Sequence, residues 1–120
     1  MGKRSFLVTP NREYDLDSLA DKNADKISLG RGNGNVIELG DREKDRSVSR
    51  SHALITRSRS VTGPDNFYIR DTHSTNGTRL RRGENGYVRI SPDDPKYLID
   101  RDELWFGFLG PVFYRQIIDR

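Results

Sequence analysis

The apolar residues of this chain fall in short runs broken by Gly, Pro, Asn, Asp and Ser, and nowhere do they form a long stripe at helical spacing. That pattern favours strands over helices throughout. The segments it predicts are Ser5–Thr9, Glu13–Asp17, Lys26–Leu29, Val36–Leu39, His52–Thr56, Asn66–Arg70, Tyr87–Ile90, Lys96–Ile99, Glu103–Phe108 and Val112–Ile118. In Asn66–Arg70 the side chains of Phe67 and Ile69 share one face and Tyr68 takes the other, as in a half-buried strand. Many short strands at near-regular spacing read as an all-β sandwich or barrel.

A length of 120 residues is enough for one core and not for two, so 1–120 reads as one domain with its core over about 5–118. Hydrophobic and charged residues are equally abundant at 32% each, so the core is thin; 11 Gly and 5 Pro supply many turns. Without cysteine there are no disulfides, thiolate zinc sites or cysteine nucleophiles, and two histidines give little basis for a metal site; no cofactor is expected. No apolar run approaches the roughly 18 residues needed to span a bilayer, and no signal-peptide core is visible, so an intracellular protein, cytoplasmic or nuclear, without a membrane partner is expected.

The net charge of +3 is unevenly spread: residues 46–89 carry nine basic and three acidic side chains. This suggests an anionic partner met by a local patch. Three polar, turn-forming segments lie between predicted strands: Gly30-Arg31-Gly32-Asn33-Gly34-Asn35, Ser49-Arg50-Ser51-His52, and Asp71 to Thr78 with Ser74-Thr75-Asn76-Gly77 at its centre. Loops at one end of a sandwich can converge on a common site. Together they supply guanidinium forks, hydroxyls and an amide, an inventory suited to a phosphate.

Other readings of the same residues fail on context. The glycine-rich segment lacks the sixth-position glycine and the following helix of a dinucleotide loop. Ser49 and His52 are not set in a strained nucleophile elbow, so no enzyme is expected. Asn76-Gly77 taken alone reads as a type I′ hairpin turn.

In order and spacing, Gly30-Arg31, Ser49-x-x-His52 and Ser74-Thr75-Asn76-Gly77-Thr78 resemble the motifs of the forkhead-associated (FHA) family, and Asp102-Glu103-Leu104-x-Phe106-Gly107 resembles its penultimate strand. The match is strongest over residues 26–118. The resemblance implies a twisted sandwich of about eleven mostly antiparallel strands whose loops at one end bind phosphothreonine in a partner that is a Ser/Thr kinase substrate. It implies phosphopeptide-binding roles for Arg31, Ser49, Arg50, Thr75 and Asn76, and loop-ordering roles for Gly30, His52 and Gly77. One departure is Thr72-His73, where family members often carry Leu-Gly.

The alternative is a nucleic-acid-binding β domain using the basic 46–89 block; it is disfavoured because the aromatic residues lie mostly in predicted strands, outside the basic loops. Arg79, Arg81 and Arg82 read as a solvated basic rim, Arg57–Asp65 as a hairpin connection, and Trp105, Phe106, Phe108 and Phe113 as core. Asp41–Arg46 reads as a charged loop, and Thr9-Pro10 as a common dipeptide of no special role.

Overall fold

In a computed structural model, which describes residues 2–40, 45–63 and 65–118, the period-two segments pair into two stacked sheets. In chain order the elements are β1 (Lys3–Val8), β2 (Glu13–Asp15), α1 (Leu16–Lys22), β3 (Lys26–Gly30), β4 (Ile37–Glu38), β5 (Ala53–Ser58), β6 (Asn66–Asp71), β7 (Thr78–Arg81), β8 (Val88–Arg89), β9 (Lys96–Tyr97), β10 (Glu103–Phe106) and β11 (Leu109–Ile118). One sheet has the order β2-β1-β11-β10-β7-β8 and the other β4-β3-β5-β6-β9. All pairings are antiparallel except that of β3 with β4. The all-β sandwich with about eleven strands is therefore observed.

The core forms where the inward residues of the two sheets meet. Ile27 and Leu29 of β3, Ile55 of β5 and Phe67 and Ile69 of β6 face Leu7, Leu104, Phe106, Val112 and Tyr114 of the other sheet, all fully buried. The Tyr114 hydroxyl donates to Ser5 Oγ at 2.9 Å, which satisfies a polar tip inside this layer.

Two elements differ from the strand pattern. The predicted strand Glu13–Asp17 stops at Asp15, whose carboxylate accepts the Ser18 N–H at 3.1 Å and caps α1. Leu16 and Ala20, four residues apart, put one helical face into the core. Two turns are too short to show a periodicity in sequence. The second difference is β7, which the reading placed in a loop: Thr78 and Leu80 point inward while Arg79 and Arg81 point out, a period of two with a single aliphatic residue.

Several side-chain assignments are corrected as well. Phe106 is core, but Phe108 is 78% exposed at a turn and Phe113 is exposed, opposite in facing to its buried neighbours Val112 and Tyr114. Trp105 is half-buried, with its Nε1–H donating to Glu103 at 2.7 Å. Of the three arginines read as a solvated rim, Arg81 is exposed, while Arg79 and Arg82 are half-buried. Arg79 lies over the rings of Tyr87 and Trp105, Arg81 over Tyr87, and Arg82 makes a two-pronged pair with the fully buried carboxylate of Asp102 at 2.9 and 2.8 Å. Arg57, assigned to a loop, is buried in β5 and donates to Asp25 at 2.8 Å and Asp21 at 2.7 Å, tying β5 to α1 and the segment after it. Of the predicted charged loop Asp41–Arg46, residues 41–44 lie outside the described residues.

Removing one partner of a buried ion pair leaves the other charge desolvated, which typically costs roughly 3–5 kcal/mol. Arg82 keeps part of its exposure, so Arg82→Ala should lose about 3 kcal/mol, toward the lower end of that range. The readout is a lower urea midpoint with an unchanged denaturant slope, and a loss under about 0.5 kcal/mol, the level of an ordinary surface change, would contradict the assignment.

Candidate functional site

The connections after β3, before β5 and between β6 and β7 meet at one end of the sandwich, and each carries one of the polar segments. Gly30 closes β3 and Arg31 leads out of it. The Arg31 backbone N–H donates to Ser49 O at 3.0 Å, and its Nε donates to Val48 O at 3.0 Å. Two bonds to one segment fix the direction in which the side chain leaves the sheet.

Glycine is required at position 30 by space. A Cβ there would run into the Arg50 carbonyl oxygen and sit 2.7 Å from its carbon. The same carbonyl accepts a bond from Asn35 Nδ2 at 2.7 Å, so the glycine-rich loop closes on the Ser49–Arg50 backbone.

Ser49 joins the second segment to the third. Its Oγ accepts the Thr75 N–H at 3.0 Å, and a hydroxyl used as acceptor keeps its proton to donate elsewhere. Asn76 Nδ2 donates to Ser47 O at 3.0 Å, leaving the amide oxygen to accept. Thr75, Asn76 and Arg50 are exposed while Ser49 and Arg31 are half-buried. All five residues predicted to bind are therefore brought to one end, joined directly or through the 47–50 backbone.

The three residues predicted to order the loops lie beneath them. His52 is fully buried; its Nδ1 accepts the Ser49 N–H at 2.9 Å and its Nε2 lies 2.9 Å from Gly77 O. The first bond leaves the proton on Nε2, which donates to Gly77 O. Burial pushes the imidazole below its ordinary value, against smaller opposing effects of the Gly77 bond and Asp71. Gly77 adopts φ +83, and Asn76 has no positive φ, so the turn is not type I′, which needs both central residues left-handed.

Sequence reasoning missed the residue that shapes the third loop. Asp71 ends β6, nearly buried; its carboxylate accepts the Ser74 N–H at 2.8 Å and the hydroxyls of Ser74 at 2.5 Å and Thr78 at 2.8 Å. Burial raises this carboxyl, but the three bonds outweigh it and hold it below the usual aspartate range. Ser74 Oγ in turn accepts the Gly77 N–H at 3.0 Å. The signal was present as Asp-x-x-Ser at a turn, a spacing at which a carboxylate caps backbone donors. His73 has φ +61, so the departure from Leu-Gly puts a histidine in a left-handed position, where it is among the better tolerated side chains.

Between the first and second segments lies an open hollow of about 690 Å³ lined by Arg31, Gly32, Asn33, Gly34, Asn35 and Arg50, with Ser28 and Ser51. Among the described residues its lining contains two guanidinium-bearing side chains and no carboxylate, a setting that favours an anion.

The FHA domain family profile matches residues 27–107. No curated protein matches the sequence. Among solved structures, the FHA domain of an Arabidopsis thaliana hypothetical protein aligns at 24% identity with a TM-score of 0.67, covering 99% of this chain and 90% of that one. Mycobacterium tuberculosis EmbR in complex with a low-affinity phosphopeptide aligns at 24% identity and a TM-score of 0.65, covering 93% of this chain and 24% of that longer one. The MEK1 FHA domain in complex with a HOP1 phosphothreonine peptide aligns at 18% identity and a TM-score of 0.69, covering 92% and 94%. At these identities the likeness is one of fold.

Burial of His52 gives the loops a pH dependence whose sign follows from its depressed folded value. The unfolded chain binds the proton more readily, so the contribution of His52 is complete above about 6.5 and is lost as pH falls through the folded value. Without ligand, the urea midpoint should decline as pH falls below about 6.5, and His52→Gln should be less stable at pH 7.5 but flat over that fall. Equal slopes in the two proteins would contradict this role.

Proposed function

The chain belongs to the FHA domain family, and on that premise we propose that it is a non-catalytic module that binds a phosphothreonine-bearing segment of a partner protein after a Ser/Thr kinase has acted. The observation that carries this reading is the bond from Thr75 N–H to Ser49 Oγ, which joins two polar loops beside Arg31 and leaves the serine proton available for a phosphate oxygen. The phosphopeptide complexes of EmbR and of the MEK1 FHA domain support it as cases of the same fold.

Each group has a chemical role. Arg31 supplies a planar, permanently charged fork to the phosphate or to the peptide backbone beside it. Ser49 and the Thr75 hydroxyl add shorter directional bonds, and Arg50 adds charge from the rim of the hollow. Asn76, anchored through Nδ2, offers its oxygen to a main-chain N–H of the segment. Gly30, His52 and Gly77 hold these groups in place without touching the ligand. No helix among the described residues is long and apolar enough to cross a membrane.

Calorimetric titration with a degenerate phosphothreonine peptide pool, its unphosphorylated counterpart and an oligonucleotide tests the reading. Only the first should bind. Ser49→Ala removes a hydrogen bond to a charged group, worth about 1.5–3 kcal/mol, and should weaken binding by roughly 10- to 150-fold. Arg31→Ala should cost about 2–5 kcal/mol. Affinity should decline as pH falls through about 6, where the phosphate loses part of its second charge. Indistinguishable titration of wild type and Arg31→Ala would overturn the assignment.

A further inference from the structure

Asn-Gly occurs three times in the chain, at 33–34, 76–77 and 85–86. The last two flank β7 and differ in how they are held. An asparagine before a glycine is open to attack on its own side chain, because without a Cβ the glycine nitrogen can approach the amide carbon closely.

At Asn76-Gly77 both reacting groups are engaged. Asn76 Nδ2 donates to Ser47 O at 3.0 Å, and the N–H of the buried Gly77 donates to Ser74 Oγ at 3.0 Å. Swinging the Asn76 amide onto the Gly77 nitrogen breaks the first bond, and taking the proton off that nitrogen breaks the second. Gly77 O is held as well, by His52 and by the Gly107 N–H.

Asn85-Gly86 lies in the connection from β7 to β8, where residues 83–89 are all exposed. The Asn85 backbone N–H donates to Arg82 O at 3.3 Å. Among the described residues neither the Asn85 side chain nor the Gly86 N–H has a hydrogen-bond partner. A Cβ at Gly86 would meet nothing within 4 Å, so the two groups are free to meet.

We propose that Asn85 is a site of spontaneous covalent modification, deamidation through a cyclic imide, and that the fold spares Asn76 the same reaction. The Gly86 nitrogen gives up its proton to hydroxide and attacks Asn85 Cγ. The new C–N bond forms, the Cγ–Nδ2 bond breaks, and ammonia leaves with a proton taken from water. Water then opens the imide at either carbonyl, giving aspartate or isoaspartate; the net change is a water consumed and an ammonia released, with no redox step. Asn85 shares a hollow of about 280 Å³ with Arg82 and Lys96, so the new carboxylate arises among cations. On the proposed function, the asparagine kept intact is the one whose oxygen the ligand uses.

Peptide mapping by mass spectrometry, during incubation of the purified chain in mildly alkaline buffer, tests this. In the folded chain the Asn85 peptide should gain the mass of an amide-to-acid change and resolve into two isomers. The Asn76 peptide should convert about 10-fold more slowly or less, because two hydrogen bonds must break first. In denaturing urea the two should convert at comparable rates. Gly86→Ala, at a position with room for a methyl group and without positive φ, should suppress the Asn85 reaction at an unchanged melting temperature. An Asn85 that stays intact in the folded chain, or an Asn76 that keeps pace with it, overturns the proposal. So does an Asn85 reaction that Gly86→Ala leaves unslowed. An Asn76 that stays slow in urea assigns its inertness to local sequence and overturns the protective role of the fold.

Discussion

The buried imidazole of His52 is the contact on which the arrangement of the loops depends. It packs edge-to-face with Phe106, with centroids 5.7 Å apart, and so is fixed by the core of the opposite sheet. From there it reaches the 49–52 segment through one nitrogen and the 74–77 segment through the other. A neutral imidazole can accept and donate on opposite sides at once. Lysine and arginine have only donors, and burying either would also require a counter-charge. The residue is therefore chosen for its two-sided bonding, and its position beneath Ser49 explains why it is no candidate base.

Asp71 complements it within the third loop. Its carboxylate gathers donors from Ser74 and Thr78, and Gly77 then carries its own carbonyl to His52. Gly77 O receives both the His52 proton and the Gly107 N–H, so a single carbonyl fixes the third loop to the β10–β11 turn as well. Preorganisation follows from this sharing, because moving any one loop breaks bonds in another. For a ligand held by a few charged hydrogen bonds, such rigidity sets how much of their energy appears as affinity.

How much of this was legible in the sequence depends on the range of the interaction concerned. Strands such as Asn66–Asp71 and Lys26–Gly30 were readable because alternation is local, and the three segments that meet at one end were readable because Gly30-Arg31, Ser49-x-x-His52 and Ser74 to Thr78 are short contiguous signatures. The helix α1 was not, since its cap and its two buried residues are too few to outweigh the strand pattern around them. Arg57 and Arg82 were misread because the Asp21, Asp25 and Asp102 that neutralise them lie 20 or more residues away. Phe108 was assigned to the core on hydrophobicity alone. Its exposure is set by the left-handed turn at Gly107 and by Ser47, neither of which marks the phenylalanine as a surface residue.

The same misreadings bear on the basic 46–89 block. Counted along the chain it looks like a single patch, but in space it is divided by use. Arg57 is consumed in holding α1 to β5 and Arg82 in neutralising Asp102. Arg79 lies over the rings of Tyr87 and Trp105, and Arg81 over that of Tyr87. A polyanion binder needs many cations facing one way, since its affinity grows with the number of phosphates neutralised. Arg50 instead shares one open hollow with Arg31, which comes from outside the block. The charge of the block therefore divides between scaffold and loop end, and on the proposed function it is the loop-end share that meets the phosphate.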